Sequence, residues 1–311
     1  MTWARAYFAV QAVAGALWWV AVFTIPVVRD VTLGSLDPVA VAVADIPLFV
    51  VASALAALPG RATGAAPSRA TRVAAVIATT WTAVVALGLA VYATVTTEAG
   101  WGVLIMAAAT GGSLVALTAL LLGRIPTRWI ISGPFAFRPL RPDLPLGATV
   151  ALTIAQMIVF WGLFLIAGPL VLRALELRWR VDATLPPSVA LGVAILGAVV
   201  FVFASALGIW SAATMALLGR GTPLPTAMAS SLVVAGPYRF VRNPMAVAGI
   251  AQGAAVGLAL GSWVVVAYAV TGSLIWNYAV RPHEEADLEA RFGDGFRRYR
   301  ATVRCWIPRL L

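Results

Sequence analysis

The chain has 311 residues, 61% hydrophobic and 11% charged, with a formal net charge of +10. Soluble domains carry roughly a quarter charged residues, whereas apolar runs of about 20 residues recur here, each long enough to cross a ~30 Å hydrocarbon core as a helix. The composition excludes a soluble globular fold, and the basic excess, all of it arginine, reads as membrane orientation and not as a nucleic-acid footprint.

The predicted fold is all-α, a polytopic transmembrane helical bundle of about eight spans with a C-terminal amphipathic cytoplasmic helix. In chain order the spans cover roughly 6–28, 38–58, 71–95, 101–122, 146–172, 187–210, 244–260 and 263–280. Tyr7–Val28 is not followed by a small-residue cleavage site, so it is read as a retained helix and not a signal peptide. Residues 1–123 form an N-terminal membrane region of four helices with little polar content. Its exception is Asp45, an acid inside the second span, followed by Pro47. An intramembrane carboxylate is a functional candidate; the plainer reading is an acid near the outer interface, hydrogen-bonded to a neighbouring helix.

Residues 124–145 make a Pro- and Arg-rich connection that contains Gly133-Pro134-Phe135, a string echoed at Gly236-Pro237-Tyr238. Gly-Pro punctuates loops generally, so the echo is read as loop chemistry and not as duplication. Residues 146–311 form the remaining membrane domain, with polar segments at 219–244 and 281–299. Beyond the last span, Leu288, Phe292, Phe296, Tyr299 and Val303 recur at steps of three and four. Arg291, Arg297, Arg298, Arg300 and Arg304 occupy the remaining faces, the pattern of an amphipathic helix over 283–304. That helix suits the membrane surface or the body of the protein, and Trp306 suits an interfacial anchor.

Arginines alternate between the two sides. One side collects Arg5, Arg61, Arg69, Arg72, Arg124, Arg128, Arg138, Arg141, Arg220, Arg239, Arg242 and those from Arg281 to Arg309; the other has Arg29, Arg173, Arg178 and Arg180. The positive-inside rule then puts both termini on the cytoplasmic side of the inner membrane. The single cysteine, Cys305, excludes an internal disulfide, and the single histidine, His283, leaves no basis for a metal site. On its own His283 is an interfacial residue at a helix end.

The polar groups converge at one hairpin. The loop Gly236-Pro237-Tyr238-Arg239-Phe240-Val241-Arg242-Asn243-Pro244 enters it and Arg281-Pro282-His283-Glu284-Glu285 leaves it. Equal arms return the chain to its starting level, so Tyr238, Arg239, Arg242 and Asn243 are expected beside Arg281, His283, Glu284 and Glu285. Arginines facing tandem glutamates beside apolar helix ends suit a zwitterion with a large aromatic part, such as S-adenosylmethionine. Taken singly, the arginines are ordinary positive-inside residues and the glutamates an ordinary acidic helix start.

Four pieces, in order, resemble the isoprenylcysteine carboxyl methyltransferase and phospholipid methyltransferase family over about residues 200–309. They are Gly219-Arg220-Gly221-Thr222-Pro223, then Leu232 through Met245, then Glu284-Glu285 with Leu288, then Arg291-Phe292-Gly293 with Phe296 and Tyr299. The resemblance implies a methyl-donor site for S-adenosylmethionine framed by Val234, Gly236, Tyr238, Arg242, Asn243, Pro244, Glu284 and Glu285. It also implies a lipophilic small-molecule or lipid-anchored acceptor reached from the bilayer. A carboxylate or thiolate acceptor would be oriented by Arg239 or Arg281, and an amine would use a glutamate, such as Glu285, or His283 as base. One position departs from the family pattern. Ala246 stands where an aromatic ring is usual, so Ala246 and His283 are assigned to the acceptor side and the acceptor's identity stays open. Two other readings are weighed: an NADPH-dependent membrane sterol or enone reductase, and a transporter or non-catalytic membrane protein.

Overall fold

The computed structural model describes residues 3–59, 67–132, 136–138, 140, 144–222 and 228–308. Arg61, Arg141, Pro223, Arg309 and the string Gly133-Pro134-Phe135 lie outside the described residues. Among the described residues, seven helices are long and apolar enough to cross a membrane: α1 (Trp3–Thr24), α3 (Pro38–Ala57), α4 (Arg69–Thr96), α5 (Gly100–Leu122), α6 (Leu146–Arg178), α7 (Pro187–Gly219), and the run Trp263–Thr302. A short helix α2 (Pro26–Thr32) follows α1. The shorter apolar helix α8 (Pro244–Ala259) has 16 residues, about 24 Å at 1.5 Å per residue, and accounts for the expected eighth span. The last run comprises α9 (Trp263–Ile275), a π-helical stretch Trp276–Val280, and α10 (Arg281–Thr302). At 40 residues it is about twice the bilayer core in length. Its crossing part is therefore the apolar stretch ending at Val280, and the charged α10 lies beyond it. Among the described residues the one strand-like feature is a pairing in which Met228 donates to the Arg138 carbonyl (2.8 Å) and Leu140 to the Met228 carbonyl (3.0 Å).

Two helices outrun the expected ends at 172 and 210. In α7 the reason is local. Ser211 and Thr214 return their hydroxyls to the carbonyls of Leu207 (2.6 Å) and Trp210 (2.8 Å), so these polar residues are absorbed without ending the helix. The expected C-terminal helix starts at Arg281 and is broken at Gly293 (φ 51°, ψ −125°). Phe296 and Tyr299 beyond the break are buried, so α10 packs on the body of the protein. Trp306 donates to Asn277 Oδ1 (3.0 Å) and stacks edge-on to Trp276, fastening the tail to the π-helical stretch.

The chain forms two compact units. The first, Met1–Pro126 with Leu175–Val181, is a bundle of α1, α3, α4 and α5. One end is closed by small side chains, Ala52, Ala56, Ala74, Ala75, Ala78 and Ala116, around Phe8 and Leu120. Such residues let helix backbones approach closely in a membrane, where packing and not water exclusion drives association. The segment 175–181 caps α4: Arg178 donates from Nε to the Thr94 carbonyl (2.6 Å) and from Nη2 to Val95 (2.9 Å), a cation on otherwise orphaned helix-end acceptors.

The second unit is Thr127–Ala174 with Asp182–Leu311. Here α7, α8 and α9 pack through glycines. A Cβ on Gly197 would lie 2.7 Å from the Ala255 carbonyl, and one on Gly257 would lie 2.7 Å from the Val266 nitrogen. The α8–α9 turn uses Gly261 at φ +58°, where L side chains are strained. Ser262 then caps α9 by accepting from Val265 N–H (3.1 Å). This tight hairpin carries both of its polar ends to one region.

Candidate functional site

The entrance loop is shaped by its own sequence. Gly236 sits at φ +56°, and a Cβ there would meet Thr214 Oγ1 at 2.7 Å. Glycine is needed on both counts. It starts a 3₁₀ turn, Gly236–Arg239, that buries Pro237 and Tyr238. Asn243 is the N-cap of α8, accepting from Ala246 N–H at 3.2 Å, with Pro244 pre-set for the first helical turn. The Tyr299 hydroxyl donates to the Tyr238 carbonyl at 2.7 Å, pinning the turn to α10.

The exit of the hairpin meets this loop as expected, but the two glutamates differ. Glu285 Oε1 accepts from Arg242 Nη2 (2.9 Å) and Arg281 Nη1 (3.3 Å). Arg242 also donates from Nη1 to the carbonyls of Val303 (2.6 Å) and Arg300 (3.2 Å), and its own N–H donates to the Arg304 carbonyl (2.9 Å). Arg242 and Glu285 thus tie entrance loop, α10 and tail together. Glu284 has no arginine within ion-pair distance among the described residues, and its one side-chain contact is Asn243 Nδ2 at 3.5 Å. It lines a cavity of about 90 Å³ with Tyr238, Arg242, Asn243 and Met245 of the entrance loop and turn, Leu288, Phe292 and Tyr299 of α10, and Met215, Met228 and Leu232.

Burial, and after it the charge of neighbouring Glu285, pushes the Glu284 carboxyl up to about 7; the Asn243 contact opposes this only in part. Burial, with Glu284 close by, also raises the Tyr238 phenol, which stays neutral. The site therefore offers one carboxylate with spare acceptor capacity, poised to titrate near neutrality, inside apolar walls.

Residues 193–295 match the phospholipid methyltransferase family. No curated protein and no solved structure matches the chain. The matched phospholipid methyltransferase segment takes in most of α7, the entrance loop, the hairpin and α10 through the Gly293 break. It contains every candidate site residue, while the N-terminal unit lies outside it. The family is one of membrane methyltransferases, in accord with helices able to cross a membrane.

Within this segment the candidate residues fall into distinct places. Tyr238, Arg242, Asn243 and Glu284 line the cavity. Gly236 and Pro244 shape the loop, and Glu285 and Arg281 form the clamp behind it. Val234 and Arg239 are exposed. His283 Nε2 lies 2.8 Å from Thr127 Oγ1 and is not among the cavity's walls. Ala246 touches Asn243 through its backbone, and its neighbour Met245 lines the cavity instead. Met215, Met228, Ala229 and Ser231 are walls that sequence reasoning did not single out. Their signal was faint: Gly221 approaches Ala229, where a Cβ would fall 2.3 Å from Ala229 Cα, and Ser230 and Ser231 donate to Gly219 and Leu218 carbonyls. Among the described residues no cluster of His, Cys, Asp or Glu could hold a metal.

Proposed function

We propose that the second unit is an S-adenosylmethionine-dependent methyltransferase acting on a lipophilic acceptor that enters from the bilayer. The observation that carries this reading is Glu284, a cavity carboxylate left without a cation while its neighbour Glu285 is held by two arginines. A carboxylate so placed suits an ammonium group. The apolar side chains of Met215, Leu288 and Phe292 suit an uncharged aromatic or ribosyl body. Ligand sites of this size usually measure ~300–1,000 Å³. The 90 Å³ of this cavity therefore accommodates the charged end, with the remainder of the ligand along its rim.

When bound, S-adenosylmethionine supplies an electrophilic methyl on a sulfonium sulfur. The chain's own part is positioning and exclusion of water. Arg242 and Glu285 fix the entrance loop, Asn243 orients Glu284, and Tyr238 and Tyr299 close the inner wall. Arg239, exposed on the last residue of the 3₁₀ turn, is available to steer an anionic acceptor. The arginine distribution supports a donor taken from the cytoplasm. The matching family favours this over an NADPH reductase, whose phosphates need free cations; among the described residues the cavity's arginine, Arg242, is already paired with Glu285. Calorimetry on the purified protein tests it. S-adenosylhomocysteine should bind, and Glu284→Gln should weaken it by about 1.5–3 kcal/mol, the range for a hydrogen bond to a charged group. Binding of NADPH, or of neither ligand, would overturn the proposal.

A further inference from the structure

We propose that the N-terminal unit contains a second, independent binding site, for a lipophilic organic cation, in which Asp45 is the counter-charge. The four helices that close on alanines at one end leave a cavity of about 440 Å³ further along, lined by all four. That volume is in the range of small-molecule sites. Its walls are apolar and aromatic, with Tyr7, Trp18, Phe49, Leu89 and Met106 prominent.

Asp45 lies on this cavity and is 4% exposed. Trp19 Nε1 donates to its Oδ2 (2.9 Å) and Trp81 Nε1 to its Oδ1 (2.7 Å). Indole N–H groups donate only. Both oxygens are met by donors, an arrangement that suits a carboxylate. A carboxylate buried in a membrane protein is costly unless a cation accompanies it. Among the described residues no basic side chain lies within ion-pair distance of Asp45. The cavity that Asp45 lines is an adjoining place for a counter-charge.

Of the other polar walls, Gln11 and Tyr7 are already committed, while the Trp18 indole N–H has no hydrogen-bond partner among the described residues. Gln11 donates to Ser53 Oγ (3.0 Å) and accepts from Ser113 Oγ (2.8 Å), and Tyr7 donates to the Ala109 carbonyl (3.0 Å). A bare metal ion would want about six oxygen ligands, which this wall does not supply. An organic ammonium or phosphonium with an apolar body needs one carboxylate, apolar surface and aromatic rings, and rings attract cations. All three are present.

The test uses full-length protein in detergent and tetraphenylphosphonium, whose charge is permanent, followed by equilibrium dialysis. Saturable binding is expected, displaced by dodecyltrimethylammonium but not by neutral triphenylmethane or sodium chloride. Asp45→Asn should weaken it about tenfold or more, as removal of one member of a desolvated charge pair does. Ala109→Phe, which fills the cavity, should remove it. Helical circular dichroism and gel filtration report whether each variant is folded. Absence of saturable binding, undiminished binding by folded Asp45→Asn, or equal displacement by triphenylmethane or by sodium would overturn the proposal. Should Asp45→Asn fail to fold, Ala109→Phe decides, and undiminished binding there overturns it.

Discussion

The pH dependence of donor-site binding follows from Glu284 alone. Its carboxyl is pushed up to about 7 by burial and by Glu285, and only the ionised form attracts an ammonium group. An acid of that pKa is roughly 9% ionised at pH 6 and roughly 91% at pH 8. Apparent affinity scales with the competent fraction, so the Kd for S-adenosylhomocysteine should fall about tenfold between those values and level off above them. Titration calorimetry at pH 6, 7 and 8, in buffers of different ionisation enthalpy, reads both quantities: the fall in Kd, and release of about half a proton per ligand bound at pH 7. Glu284→Gln should bind weakly with a flat profile. Stability moves the opposite way. The folded chain holds this proton more tightly than an unfolded one, whose carboxyl titrates near its ordinary 4.5. The favourable contribution is therefore fully present below about pH 4.5 and is lost as pH rises through about 7. A wild-type Kd that does not change from pH 6 to pH 8, with no proton released, would refute the placing of the ammonium on Glu284.

Three further outcomes are expected. Arg242→Met keeps the apolar stem of the side chain but leaves Glu285 to Arg281 alone and removes the donor to the carbonyls of Arg300 and Val303; it should cost about 2–4 kcal/mol, given partial burial, and raise hydrogen exchange in 299–306 selectively. Exchange there equal to wild type would count against the clamp. Gly236→Ala places a Cβ 2.7 Å from Thr214 Oγ1 at φ +56° and should lower stability by about 1–3 kcal/mol in thermal unfolding, with part of the loss recovered by Thr214→Ala. In a Cys305→Ser background, cysteines at Glu98 and Asp182 should react with impermeant reagent from outside, and cysteines at Arg69, Arg138 and Gly221 only from the cytoplasm. Outside labelling at Gly221 would reverse the proposed orientation.

Long-range organisation was legible in the sequence because a bilayer imposes it. Apolar length, the turn at Gly261-Ser262 and the spacing of two polar clusters were enough to bring Asn243 and Arg242 to Glu284 and Glu285, since a hairpin of nearly equal arms has only one way to return. The order of the family's motifs located the same region. Three matters were decided by tertiary structure alone. Glu284 and Glu285 are adjacent and chemically equivalent in sequence, yet successive helical residues point about 100° apart, so one meets two arginines and the other a cavity. His283, one position earlier again, turns to Thr127. The partners of Asp45 are indoles of Trp19 and Trp81 on two other helices, a pairing with no periodicity to announce it. The helical period of 283–304 gave no sign of the break at Gly293, because a glycine inside an apolar repeat leaves the repeat intact. Periodicity records which face is apolar; which polar neighbour each side chain meets depends on how helices distant in sequence are rotated against each other, and packing fixes that.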